Sequence, residues 1–255
     1  MRSMIDVLRR LNRKALNNWI ADDFSSDTSD ATPEQVWRIT ASGDRMLYFV
    51  DALVGERSLD RQWLAIAAIA AAETVLKYIP AIENRPRLAL DVARSYVRGD
   101  ASDDDVIAAA DAAHAYYVSL ISQPEPDRFV AQKDAAYAAV TAARGSVESE
   151  SLRRWWAPGV VIYAANSYAH QKLGGGASPD DAARAFKESH ARVARAVRRA
   201  VPWATVSDAI ERLDAAIADL RDGSSLSQPG DIGRVAAEVE ARRGILIGLR
   251  EAANT

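Results

Sequence analysis

Cysteine is absent from these 255 residues. Its absence excludes disulfides, thiolate nucleophiles and cysteine-ligated zinc, and fits a reducing compartment. Aromatic residues make up only 7% of the chain, and there are three histidines, so side chains suited to proton transfer or metal binding near neutral pH are scarce. Long apolar runs are missing too. The longest, over 63–72, is about half the length that crosses a bilayer. Residues 1–22 combine basic side chains with an apolar stripe, but Asn12, Arg13, Lys14 and Asn17 interrupt any signal-peptide core. A cytoplasmic protein with no membrane span is expected. Excess charge is small, at −3, which disfavours general binding to polyanions and leaves room only for a local basic patch.

What the chain does contain is alanine, arranged with the 3.6-residue period of amphipathic helices and almost nowhere with the two-residue alternation of strands. The first helix is expected over about 1–22, with Leu8, Leu11, Ala15, Trp19 and Ile20 on one face. Thr32-Pro33-Glu34 starts a second, with Trp37 on its buried side. Further helices are expected over 44–54 and 58–78, the latter ended by Pro80. Next come 86–98, closed by Gly99, then 103–121, and 127–144, stopped by Gly145. A long helix over 151–172 should kink or start late at Pro158-Gly159, and 179–201, 207–222 and about 232–252 complete the set. The fold class is therefore all-α, about eleven helices in a single helical bundle spanning 1–255. Within it we distinguish an N-terminal extension of about 1–55, a core over about 58–201 and a C-terminal helix pair over about 205–252, with a linker over 223–230.

The core contains an internal duplication. Residues 99–115 and 175–191 align without gaps at an offset of 76 and share eight identities in 17 positions, among them Ser102/Ser178, Asp105/Asp181 and His114/His190. Each copy has a serine before an acidic first turn, where a hydroxyl and carboxylates satisfy free amides and oppose the helix dipole. Pro179 sits at the first helical position of the second copy. Ala93-Arg-Ser-Tyr96 and Ala165-Asn-Ser-Tyr168 precede the two glycine turns, so the repeated unit is helix, glycine turn and capped helix.

Three segments resemble a bacterial immunity-protein family. They are Ser58-Leu-Asp-Arg-Gln-Trp63, Asn84-Arg-Pro-Arg-Leu-Ala-Leu-Asp-Val-Ala-Arg-Ser-Tyr-Val-Arg-Gly99 and Ala109-Ala-Asp-Ala-Ala-His-Ala115. The resemblance is centred on 58–117. Members of that family are small alanine-rich helical proteins proposed to protect a cell from its own or a neighbour's toxin. The resemblance thus implies binding and neutralisation without turnover, and carries over no catalytic residue. The chain departs from the family pattern in its long N- and C-terminal additions and in the isoleucine-containing helix before Pro80.

Several residues invite a functional reading. Arg87, Asp91, Arg94 and Arg98 fall on one helical stripe, either a salt-bridged solvent face or a guanidinium row for a carboxylate or phosphate. Arg153-Arg154-Trp155-Trp156 has the composition of a binding hot spot, and the two adjacent tryptophans cannot share one core stripe. The helix after Pro179 is the most basic. Arg184, Lys187, Arg192, Arg195, Arg198 and Arg199 oppose Asp180, Asp181 and Glu188, a balance of six minus three or +3. Asp111 and His114, with His190 through the repeat and Glu73 beyond, are the candidates for a metal site, and Asn166 and His170 share a helix face. Packed or hydrogen-bonded histidines at equivalent places in two repeats are the competing reading. No Gly-x-Ser-x-Gly or His-Glu-x-x-His frame is present, and Gly174-Gly-Gly lacks the lysine of a phosphate loop.

The expected function is a non-enzymatic binding protein without a cofactor, of the immunity type, whose partner is a toxin-like protein contacted through Arg87, Arg94, Arg98 and Arg153–Trp156. Two alternatives stand beside it. One is a metal-dependent or small-ligand helical enzyme using Asp111, His114 and His190; the other is a structural or oligomeric scaffold of a mobile element. Nucleic acid is disfavoured as a partner, and homo-oligomers remain compatible with the sequence.

Overall fold

A computed structural model describes residues 33–53, 58–123, 129–147, 150–173 and 178–222. The described residues contain nine α-helices, one short 3-10 helix and no strand. In chain order the helices are α1 (Pro33–Ile39), α2 (Gly43–Leu53), α3 (Ser58–Glu73), α4 (Arg85–Arg98), α5 (Asp103–Ile121), α6 (Val130–Val147), α7 (Glu150–Leu173), α8 (Pro179–Ala200) and α9 (Trp203–Asp222). The 3-10 turn, Leu76–Tyr78, lies between α3 and α4. Nine of the eleven expected helices coincide with these; the segments over 1–22 and 232–252 lie outside the described residues.

Contacts divide the chain into two compact units. The described part of the smaller unit contains α1 and α9, which pack on each other. Trp37 and Val206 are buried there, each on the apolar side of its helix. The larger unit spans Thr40–Asp51 and Gln62–Val201, and it carries the chemistry considered below.

In the larger unit α6 is the central element. It packs on α4, α5, α7 and the 3-10 turn, and Ala131, Ala135, Ala136, Ala138, Ala139, Val140, Ala142 and Ala143 are all buried along it. A helix apolar on nearly every side is stable only when neighbours surround it. Alanine suits that place because its single methyl lets backbones approach closely, while each buried methyl stabilises by only about 0.8 kcal/mol. The bulkier interior residues, Met46, Leu47, Leu64, Ile69, Ile79 and Leu90, come from α2, α3, the segment after the 3-10 turn and α4.

Helix ends follow identifiable chemistry. Gly99 closes α4 at φ +84°, and its amide and that of Asp100 donate to the Tyr96 and Ser95 carbonyls at 2.9 and 2.8 Å. This is the paired bond pattern of a Schellman cap. At the start of α5 the Ser102 hydroxyl accepts from the Asp105 amide at 3.2 Å, while the Asp105 carboxylate accepts from the Ser102 amide at 2.9 Å. The Ser178 hydroxyl accepts from the Asp181 amide at the same 3.2 Å to start α8.

Four boundaries depart from expectation. The helix expected to reach Tyr78 stops at Glu73, because the Thr74 hydroxyl and amide both donate to the Ala71 carbonyl, at 2.7 and 3.2 Å, and tighten the chain into a 3-10 turn. Gly145 does not terminate α6: it is helical and buried, and the helix continues to Val147. Pro158 neither delays nor interrupts α7, which is helical throughout. The burial of Val160, Val161, Ala164 and Ala165 just beyond it outweighs the roughly 3 kcal/mol that an interior proline costs. The C-terminal helix begins at Trp203 and not Ser207, since the Pro202 carbonyl accepts from the Thr205 and Val206 amides.

Candidate functional site

The arginine stripe on α4 is occupied by internal partners. Arg87 spends its guanidinium on backbone: one terminal nitrogen donates to the Leu76 and Ile79 carbonyls at 2.8 and 3.0 Å, the other to Glu83 and, more weakly, Pro80. It ties the 3-10 turn to the first turn of α4. Arg94 pairs with Glu73 of α3 and, at 3.0 Å, with Asp91 one turn back. Arg98 pairs with Asp100 at 3.0 Å and donates to the Ser95 hydroxyl. The salt-bridged reading of this stripe describes its geometry. The backbone of Arg153, Arg154, Trp155 and Trp156 belongs to α7, but their side chains lie outside the described residues.

The metal candidates do not converge. Asp111 pairs with Arg144 of α6 at 2.6 Å. His114 lies against the Tyr117 ring, centroids 5.8 Å apart, and Glu73 is held by Arg94. His190 packs on Phe186 at 4.4 Å, and its Nδ1 lies 3.3 Å from the Asp44 carboxylate without the alignment of a hydrogen bond. Among the described residues no three His, Asp or Glu side chains are grouped to hold a metal ion. Asp111, His114 and His190 are each held by a different neighbour. The spacing along α5 is real, yet Asp111 turns to Arg144 on α6 and His114 to Tyr117 on its own helix.

Two polar clusters within the larger unit were not legible beforehand. The first joins α5, α6 and α7. His170 Nδ1 is 2.8 Å from the Asp134 carboxylate across the α6–α7 interface. Tyr137, one turn from Asp134, stands between Tyr117 of α5 and Tyr163 of α7 at centroid distances of 4.7 and 4.6 Å. Burial pushes the Asp134 carboxyl above its ordinary value, with the His170 contact opposing it. Burial likewise raises the Tyr117 and Tyr163 phenols, aided by Tyr137 and the Asp134 charge. The Asp134 contact orients an imidazole that is otherwise half exposed. Helical spacing pairs His170 with Asn166 on its own helix, and the acid 36 residues away carries no local signal.

The second cluster surrounds Asp44 at the start of α2. Burial alone would raise this carboxyl, but the His190 imidazole, the Ser42 hydroxyl and the Arg45 amide together hold it below the ordinary value. Nearby, Arg198 of α8 donates to the Thr40 carbonyl at 2.6 Å. Here α8 and the start of α2 approach so closely that Gly43 has no room for a side chain: an added Cβ would lie 2.5 Å from Val193 Cγ1.

Comparison with family models, with curated proteins and with solved structures returned no match for this chain.

Proposed function

We propose that this chain is a non-enzymatic binding protein of the immunity type, which neutralises a bacterial toxin by direct contact. The observation that carries the binding role is a row on one face of α5. Ile107, Val118 and Ile121 are 45, 40 and 46% exposed, and their spacing of eleven and three places them along a single stripe. Aligned solvent-facing isoleucines and valines suit burial against a partner. The toxin assignment rests on the segment Asn84 to Gly99. Its distinctive residues have defined tasks in α4: Pro86 starts the helix, Arg87 binds the preceding turn, Ala89 and Ala93 are fully buried, and Gly99 supplies the left-handed cap. The resemblance is thus carried by residues that build a scaffold, on which the exposed row supplies the contact surface.

The same reading includes a single bundle, a duplicated unit and a cytoplasmic location. Matching serine–aspartate caps at Ser102 and Ser178 support the duplication. No helix of the described residues is long and apolar enough to cross a membrane.

The test is capture with the full chain from lysate of its own host, followed by co-expression of the captured protein. The expected result is one stoichiometric partner that arrests growth alone and is harmless when this protein is present. Arg154→Ala and Trp155→Ala should weaken that complex without altering the fold. A captured protein whose toxicity is unaffected would defeat the proposal. The exposed row on α5 also suits a second copy of the chain, so a scaffold or homo-oligomer is the second reading. Sedimentation at micromolar concentration separates the two, and a monomer removes the scaffold.

A further inference from the structure

Helix α8 carries positive charge that the described residues around it leave unmatched. Arg184 pairs with Asp181, Glu188 is taken by Lys172 of α7, and Arg198 is turned inward to the Thr40 carbonyl. Arg192, Arg195 and Arg199 make no ion pair or hydrogen bond among the described residues. Their spacing of three and four puts them on one stripe about 10 Å long. Arg195 and Arg199 are exposed. Arg192, partly buried, stacks 5.7 Å from the Tyr168 ring centroid, which fixes the root of the row. The opposite face of the helix is anchored by Val193, Ala194 and Val197, all buried. The row is therefore set on a fixed helix face, and among the described residues its guanidinium donors are free.

We propose that Arg192, Arg195 and Arg199 form the recognition surface for an acidic helical segment of the protein partner, each guanidinium meeting one carboxylate. This rests on the binding-protein reading above and gives the partner its chemistry. Charge complementarity selects the occupant. Planar guanidiniums take carboxylates in bidentate fashion, and glutamates at i, i+3 and i+7 of a facing helix repeat at the same spacing as the arginines. Nucleic acid fits less well. Three cations form a short footprint beside the six to ten or so phosphate contacts of established binders, and Asp180, Asp181 and Glu188 lie on the same helix.

The experiment titrates the full chain, by calorimetry at low salt, with a helical peptide carrying glutamates at i, i+3 and i+7. A scrambled peptide of the same composition and a short oligouridylate serve as comparisons. The ordered peptide should bind best. R192Q/R195Q/R199Q should weaken it about tenfold, the product of three exposed pairs each changing affinity by about two- to threefold. Lys187→Gln removes one unit of charge from another face of α8 and should change affinity less than R195Q, which also removes one, and less again than R195Q/R199Q. That double variant leaves the Tyr168 stack intact, so it keeps the test decisive if the triple variant fails to fold. Equal binding of the scrambled peptide, tighter binding of the oligouridylate, an equal effect of Lys187→Gln, or no binding would each overturn the proposal. A captured toxin bound equally by the triple variant would overturn it while leaving the immunity reading standing. If capture yields no toxin, that reading fails and the peptide titration still decides the arginine row.

Discussion

Gly43→Ala should destabilise the protein although it replaces glycine by the best helix former. Gly43 is the first residue of α2 and is buried. A Cβ built on it would lie 2.5 and 2.7 Å from Val193 Cγ1 and Cβ and 3.1 Å from Val161 Cγ1. Ordinary contacts between carbons lie near 3.5–4.0 Å, so α2 and α8 must separate by about 1 Å. Val193 cannot swing away, because its β-branched stem starts at the colliding Cβ and its χ1 is restricted in a helix. Overpacking of this kind costs about 1–3 kcal/mol. The alanine preference recovers at most about 1 kcal/mol, and less at a helix end. A net loss of about 1–2 kcal/mol is expected, read as a lower urea midpoint at unchanged slope. Val193→Ala should relieve the Cγ1 clash but not the Cβ clash, so the double variant should be more stable than the sum of the two single changes by roughly 0.5–1 kcal/mol. A neutral or stabilising Gly43→Ala would refute the close approach.

Gly99→Ala offers a contrast of mechanism: nothing lies within 4 Å of an added Cβ, but φ is +84°, so the loss should be about 1 kcal/mol from backbone strain alone, measured by the same melt. Ser102→Ala and Ser178→Ala each remove a side-chain cap and should cost about 1 kcal/mol; their effects should add in the double variant. Arg87→Met removes the bonds to the Leu76, Ile79 and Glu83 carbonyls and should cost about 1–3 kcal/mol, with amide exchange rising first in the 3-10 turn. For Asp44 the folded pKa lies below the unfolded 3.8, so its contribution is present above that value and is lost as pH falls through it toward the lower folded pKa; Asp44→Asn should flatten stability against pH in that acid window. Asp134 has the opposite sign. Its folded pKa lies above 3.8, so its penalty develops as pH rises from 3.8 through the higher folded value, and Asp134→Asn should remove that decline.

The sequence by itself determined what depends on neighbours along the chain. The nine helices in the described residues follow from the apolar period, and Gly99, Ser102 and Ser178 end or start them by chemistry confined to four or five residues. Tertiary structure decided the rest. Whether Pro158 breaks a helix depended on the buried surface beyond it, and whether Gly145 ends one depended on the crowding around α6. The site residues show the same division. Helical spacing put Asp111 beside His114 on one face, but Arg144 from the next helix claimed the acid, while the Asp134–His170 contact joined residues with no local relation. Only the fold set these partners, because a side chain's alternatives on other helices compete with its neighbours on its own, and their distances are fixed by how the alanine-lined backbones pack.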